Sequence, residues 1–205
     1  MNKKKGLFIS FEGPEASGKS SQILLLQKYL TTKKISFITT REPGGTKLAE
    51  SLRNLILKIK SDINIDEEIL MLMAARSHHI NNVIKPALDK GNLVISDRFA
   101  DSTFVYQGYV NNFGIQKAKS LHKNILNNFL PHKTFLFNLS SSKIIARLKK
   151  RKSKNKYDKL ERNFHEQVNR GYELISKNKR FIKIDASKSI TSINKKIINA
   201  INLLI

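Results

Sequence analysis

The sequence predicts an α/β fold in three layers, with a five-stranded parallel sheet between two layers of helices. Three observations carry that. Short, near-continuous apolar runs recur along the chain, and such runs suit strands covered on both faces of a parallel sheet. Longer stretches with apolar residues at helical spacing lie between them, so strand and helix alternate as βαβ units. A glycine-bearing loop, Gly13-Pro14-Glu15-Ala16-Ser17-Gly18-Lys19-Ser20, joins the first run to the first helix and marks the sheet as that of a P-loop NTPase.

The strands are expected at Gly6–Glu12, Ser36–Thr40, Asn92–Ser96, Thr134–Leu139 and Arg180–Ile184. The first helix, Ser20–Thr31, repeats Ile23, Leu24, Leu26, Gln27 and Leu30 at helical spacing. Leu48–Lys60 places Leu48, Leu52, Leu55, Ile56 and Ile59 on one stripe. Glu67–Asp89 reads as one long helix with Pro86 as a local kink or a junction near its end. Phe113–Leu130, Lys143–Lys150, Leu160–Lys177 and Ser189–Leu204 complete the helices. With no internal repeat and no long linker, residues 1–205 read as a single domain, within which 147–160 is a candidate lid.

The chain has no cysteine, which excludes disulfides, thiolate zinc sites and cysteine nucleophiles. No apolar run reaches the roughly 18 residues that a membrane span needs. The basic start Met1–Lys5 leads into a short strand broken by Glu12 and Gly13, not into the longer apolar core of a signal peptide. A cytoplasmic protein is expected. The formal charge of +22 is mostly lysine and accompanies abundant Asn and Ile, a compositional bias more than a nucleic-acid footprint. The segment around Arg147–Lys159 is the local exception.

The loop spacing matches G-x-x-x-x-G-K-[ST] at Gly13, Gly18, Lys19 and Ser20. Glycines admit positive φ and let backbone N–H groups approach phosphate oxygens, and the following helix points its positive end at them. Lys19 offers a point charge to the transferred phosphoryl group, and the Ser20 hydroxyl is a candidate Mg²⁺ ligand. Ligands of such folds sit beyond the carboxyl ends of the strands. There the third strand ends in Asp97-Arg98, an acid for Mg²⁺ or its water shell beside a fork suited to a second phosphate. A simple ATPase has no need of that second anion site, whereas a kinase with a phosphorylated acceptor does. Arg41 after the second strand and Arg76 in the long helix fit the same reading; for each, a surface ion pair is the plainer alternative.

Further motifs carry a resemblance. Arg41-Glu42-Pro43-Gly44-Gly45-Thr46 resembles the TREPGGT segment of bacterial thymidylate kinases. Phe11-Glu12-Gly13, Ala74-Ala75-Arg76, Asp97-Arg98-Phe99 with Ser102 and Tyr106-Gln107, Ile84-Lys85-Pro86-Ala87-Leu88 and Asp185-Ala186-Ser187 are similar to that family's other segments, in register. The resemblance implies a fold of the nucleoside monophosphate kinase type and transfer of the γ-phosphoryl of ATP to dTMP in a homodimer. It implies that the loop from Gly13 to Ser21 holds ATP. Glu15 would meet the acceptor's 3′-hydroxyl, and Arg98, helped by Arg41, its phosphate. Arg76 and Gln107 would read the thymine edge, Tyr106 would lie against the deoxyribose, and Pro43, Leu72 and Ser102 would line the acceptor site. Ser20 and Asp97 would serve Mg²⁺. His78 and His79, adjacent and so divergent around a helix, read as surface or dimer-face residues.

Two regions depart from the pattern. Where related kinases carry an Arg in the loop this chain has Ala16, so the transition-state charge is expected from the basic run Arg147–Lys156, with Arg151 in that role, Lys149 as the alternative, and Arg147 against adenine. The family's aromatic over thymine is here Leu72, and its acid-Arg-x-Glu lid end is here Asp158-Lys159-Leu160-Glu161. Leu72 leaves open a same-fold kinase with a shifted acceptor. A DNA-binding P-loop ATPase using the +22 charge is the reading of another class; it leaves the Arg, Gln and Tyr constellation without a purpose.

Overall fold

The computed structural model describes residues 6–58, 63–150 and 161–205. The strands fall within a residue of expectation: β1 (Leu7–Glu12), β2 (Phe37–Arg41), β3 (Leu93–Asp97), β4 (Lys133–Asn138) and β5 (Phe181–Asp185). They form one sheet in the order β2-β3-β1-β4-β5, every pair parallel. β1, β3 and β4 are buried along nearly their whole length. β2 and β5 are only partly covered, because they are the sheet's edges; the expectation of burial on both faces fails for these two.

Side chains alternate across the strands, so each strand feeds two cores. Ile9, Phe11, Ile95, Phe135 and Phe137 pack with Ile23, Leu26 and Leu30 of α1 (Lys19–Thr32) and Ile193, Ile197 and Ile201 of α9 (Ile190–Asn202). Phe8, Val94 and Leu136 pack on the other side with Ile69 and Met73 of α3 (Ile65–His79) and Val168, Tyr172 and Ile175 of α8 (Arg162–Ile175). In α2 (Lys47–Lys58) the expected stripe holds at Ile56, buried beside Ala49, and is corrected at Leu48 and Leu55, which are exposed; Ile59 lies outside the described residues.

The long helix is interrupted as its proline requires. α3 passes into a π-helical stretch, Ile80–Ile84, before α4 (Lys85–Asp89). Pro86 has no N–H to give the preceding turn, and a widened turn ahead of it absorbs that loss. After β3 comes α5 (Ala100–Thr103), running into a second π-helical stretch, Phe104–Val110, where no element was expected. α6 (Ile115–Leu126) and α7 (Ser141–Lys149) follow β3 and β4. No helix among the described residues is long and apolar enough to cross a membrane.

Candidate active site

Three strands end level with one another. Arg41, Asp97 and Phe11 share one row of the sheet. The next residues stay in step: Glu42 N–H donates to Asp97 O and Arg98 N–H to Phe11 O, each at 3.0 Å. Glu12, Glu42 and Arg98 therefore emerge side by side, and a cavity of about 520 Å³ opens above them.

From β1 the chain turns at Gly13, with φ +132°, so close to β4 that a Cβ there would lie 2.5 Å from Phe137 O. Only glycine serves at that point. At Gly18, φ is +97°, and α1 starts at the next residue with no side-chain cap and no acid in its first turn. Its first N–H groups are left for an anion. Lys19 folds back over the loop, its Nζ donating to Gly13 O at 3.0 Å and Pro14 O at 2.8 Å. Burial, with Arg98 nearby, pulls the Lys19 ammonium down to about 8. Ser20 Oγ donates to Asp97 Oδ2 at 3.0 Å. A hydroxyl and a carboxylate at this spacing are oxygen donors of the kind Mg²⁺ takes.

Arg98 sits at φ +70°, a left-handed conformation uncommon outside glycine. Its guanidinium is enclosed: Nη2 donates to Glu15 Oε1 at 2.9 Å, and Nη1 donates to Gly13 O, Ser102 Oγ and Tyr172 Oη at 2.9, 3.1 and 3.2 Å. The Tyr106 ring lies 5.2 Å beneath it, and the Tyr106 hydroxyl meets both oxygens of Glu15 at 2.9 and 2.7 Å. Burial alone would raise the Glu15 carboxyl, but Arg98, Lys19 and the Tyr106 hydroxyl hold it below its ordinary value. The phosphate loop and the Asp97-Arg98 turn are thus one connected piece.

The far wall comes from α3, the π-helical stretch 104–110 and the loop after β2. Leu72 and Arg76 line it from α3, Gln107 from the opposite side, Pro43 and Arg53 from the β2 loop and α2. Gln107 Nε2 donates to Glu68 Oε1 at 2.6 Å. Arg76 is buried against Glu42 and Thr103. Burial would raise the Glu42 carboxyl, yet Arg76 and His79 keep it below its usual range. Arg41 reaches the cavity rim but is exposed and paired with Glu50 at 2.8 Å, the ion pair of its plainer reading.

Glu15, Ala16, Ser17, Gly18, Lys19, Ser20 and Ser21 line this one cavity together with Arg41, Pro43, Leu72, Arg76, Asp97, Arg98, Ser102, Tyr106 and Gln107. Arg147 lies on the other flank of the loop, bridging Ala16 O and Ala186 O at 3.0 Å each. Arg151 and the segment 151–160 fall outside the described residues.

A family model described as thymidylate kinase matches residues 11–197, most of the chain. The chain belongs to the thymidylate kinase family. Relatives that carry the name thymidylate kinase include one from Mycoplasma capricolum, 41% identical over 200 residues, covering 95% of this chain and 94% of that one. Another, from Mesoplasma florum, is 42% identical over 188 residues, 89% of each chain, and one from Ruthia magnifica is 41% identical over 192 residues, 91% and 93%.

Several polar groups of this family member's site escape sequence reasoning. Glu12 is fully buried and accepts from Phe99 N–H and the hydroxyls of Ser102 and Tyr172 at 2.6, 2.6 and 2.9 Å. Asp101 and Arg180 form a bidentate pair at 2.8 and 2.7 Å beneath the site. His79 is not a surface residue: it is 0% exposed and contacts Thr40 and Glu42. It lies three residues beyond Arg76 and seven beyond Leu72, on the inward stripe of α3; a wheel of that helix would have turned it inward. An acid at the end of the apolar strand β1 was the corresponding signal for Glu12.

Proposed function

We propose that this chain transfers the γ-phosphoryl group of ATP to dTMP, giving dTDP, as a single kinase domain working in a cytoplasmic homodimer. The observation that carries it is the continuity of the cavity: a phosphate loop and an arginine-floored second pocket share one space, tied by Glu15 and Arg98 at 2.9 Å. Triphosphate oxygens would replace the carbonyls of Gly13 and Pro14 around Lys19, whose charge they would restore. Arg98 would hold the acceptor phosphate facing the γ-phosphorus. An acceptor oxygen then bonds to that phosphorus as its bond to the β-bridging oxygen breaks, and ADP leaves. The acceptor phosphate is already a nucleophile, so positioning and charge neutralisation do most of the work. Mg²⁺, when bound, neutralises charge on the phosphate oxygens, and Ser20 with Asp97 would hold it.

Glu15, fixed by Arg98 and the Tyr106 hydroxyl, would meet the sugar 3′-hydroxyl, with the Tyr106 ring filling the room a 2′-hydroxyl needs. Leu72 would cover the base while Arg76 and Gln107 read its edge, with Pro43 and Ser102 lining the same site and Arg41 aiding from the rim. Arg147 would lie against adenine, and Arg151 would supply the charge that Ala16 does not. Exposed Leu48 and Leu55 on α2 and Leu70 on α3, two helices packed together, favour the homodimer. Both substrates are free nucleotides, which favours the cytoplasm.

A coupled ADP-release assay with ATP, Mg²⁺ and each nucleoside monophosphate tests this. dTMP is expected to be the best acceptor; equal or better turnover of dUMP, dGMP or CMP overturns it in favour of a shifted acceptor, the second reading that Leu72 supports. Arg98→Ala should lower kcat/KM for dTMP on the order of 100-fold or more while ATP binding changes only a few-fold.

A further inference from the structure

A chain of polar groups, half-buried at Thr40 and buried beyond it, runs behind the base-side wall of the cavity. Thr40 Oγ1, at the end of β2, lies 2.6 Å from His79 Nε2. His79 Nδ1 lies 2.9 Å from Glu42 Oε1, and Glu42 Oε2 accepts from Arg76 Nε at 2.6 Å. His79, Glu42 and Arg76 are 0%, 4% and 3% exposed. A carboxylate only accepts, so Nδ1 of His79 carries a proton and donates it to Glu42; the Thr40 hydroxyl meets the other ring nitrogen and fixes the ring plane.

Arg76 is held on three sides. Nε is on Glu42, Nη2 donates to Thr103 Oγ1 at 2.8 Å, and the group stacks 5.1 Å from the Phe99 ring centroid. Nη1 is buried without a partner. This arrangement depends on Glu42 giving Arg76 one oxygen and not two. Carboxylate and guanidinium prefer a two-point fork when both are free to turn. His79 occupies the second oxygen and blocks that. Were His79 gone, Glu42 could take a second guanidinium nitrogen, competing with Thr103 and turning the group away from its present direction. The space around the relay is tight: a Cβ at Gly45 would lie 2.5 Å from both His79 Nε2 and Thr40 Oγ1.

We propose that His79 is a specificity-positioning residue: by holding one oxygen of Glu42 it keeps Arg76 presented to the base of the acceptor. The inference rests on the dTMP kinase reading and deepens it. Thymine offers an oxygen acceptor at position 4 where cytosine offers an amino donor. A fixed guanidinium donor at that edge favours the first and opposes the second, because an unmet or mismatched buried polar group is costly.

The test compares the unaltered chain with His79→Leu, His79→Asn and Thr40→Val, measuring kcat and KM for dTMP, dCMP and ATP. His79→Leu is expected to cut the kcat/KM preference for dTMP over dCMP on the order of 10-fold, through KM, with KM for ATP within about twofold. His79→Asn puts an amide nitrogen near the place of Nδ1 and should recover most of the preference. Thr40→Val, which touches neither Arg76 nor the cavity, should lower it about threefold and keeps the test alive if His79→Leu fails to fold. Equal losses for both acceptors, or an unchanged preference in His79→Leu (in Thr40→Val, where His79→Leu fails to fold), overturn the positioning role. If the unaltered chain does not phosphorylate dTMP, the kinase reading itself fails and takes this inference with it. If it does and the variants match it, the positioning role alone fails.

Discussion

Glu12 ends β1 as the one acid of an apolar strand, fully buried behind Arg98. Burial, with Asp101 close by, pushes its carboxyl from 4.5 up to about 7. The consequence for stability has a definite sign. Between these values the folded chain keeps a proton that the unfolded chain gives up, so this group's contribution to stability falls as pH rises from 4.5 to 7 and stays lost above that. Glu12→Gln preserves volume and removes the titration. The unfolding free energy of the variant relative to the unaltered chain should therefore rise between about pH 5 and pH 7.5, on the order of 3 kcal/mol. Urea unfolding at both pH values measures it, and a difference that stays flat would mean Glu12 is ionised throughout. Lys19 shows the same competition with opposite charge: held on two carbonyls and drawn down to about 8, it waits on the phosphates that favour its charged form.

α3 shows how one element serves both fold and site. Asn64 caps it through a reciprocal box: Asn64 Oδ1 accepts from Glu67 N–H at 2.9 Å and Glu67 Oε2 from Asn64 N–H at 2.8 Å. Asn64→Ala should cost about 1 kcal/mol in an unfolding titration. It should leave KM for the acceptor unchanged, because Leu72 and Arg76 lie two and three turns beyond the cap; a raised KM would mean the first turn steers the site. The five strands and the phosphate loop were legible because their signals are local: apolar runs, and glycines at set spacing. The segment after Arg98 was not legible. It carries β-branched Thr103 and Val105 with Gly108, poor helix formers, and is helical where it packs against α6 and α8, with Gly171 close to Val105 and Tyr109. Nor were the polar pairs: Glu42 with His79, Glu12 with Tyr172 and Asp101 with Arg180 are far apart in sequence and meet only in the fold.

The molecule as a whole carries a formal charge of +22. Its cavity does not follow that excess: Glu15, Glu42 and Asp97 stand among its arginines. Lysine dispersed on the surface gives loose, salt-sensitive attraction to any polyanion, without a defined complex. Duplex DNA should therefore bind no tighter than about 1 μM at about 0.15 M salt, measured by anisotropy, and weaken steeply as salt is added. Nanomolar binding under those conditions would favour a nucleic-acid role instead. The strand order has a consequence for how the chain comes to be made. β1 precedes the other four strands of its sheet in the chain and is the middle one of the finished sheet, yet Leu7 pairs with Leu93 and Ile9 with Lys133. At about 5–20 residues added per second, the strand that carries the phosphate loop spends many seconds on the ribosome with both edges bare. The strand that carries the phosphate loop is thus made before either of its neighbours and sheltered late, and nascent-chain protection should matter most over that interval.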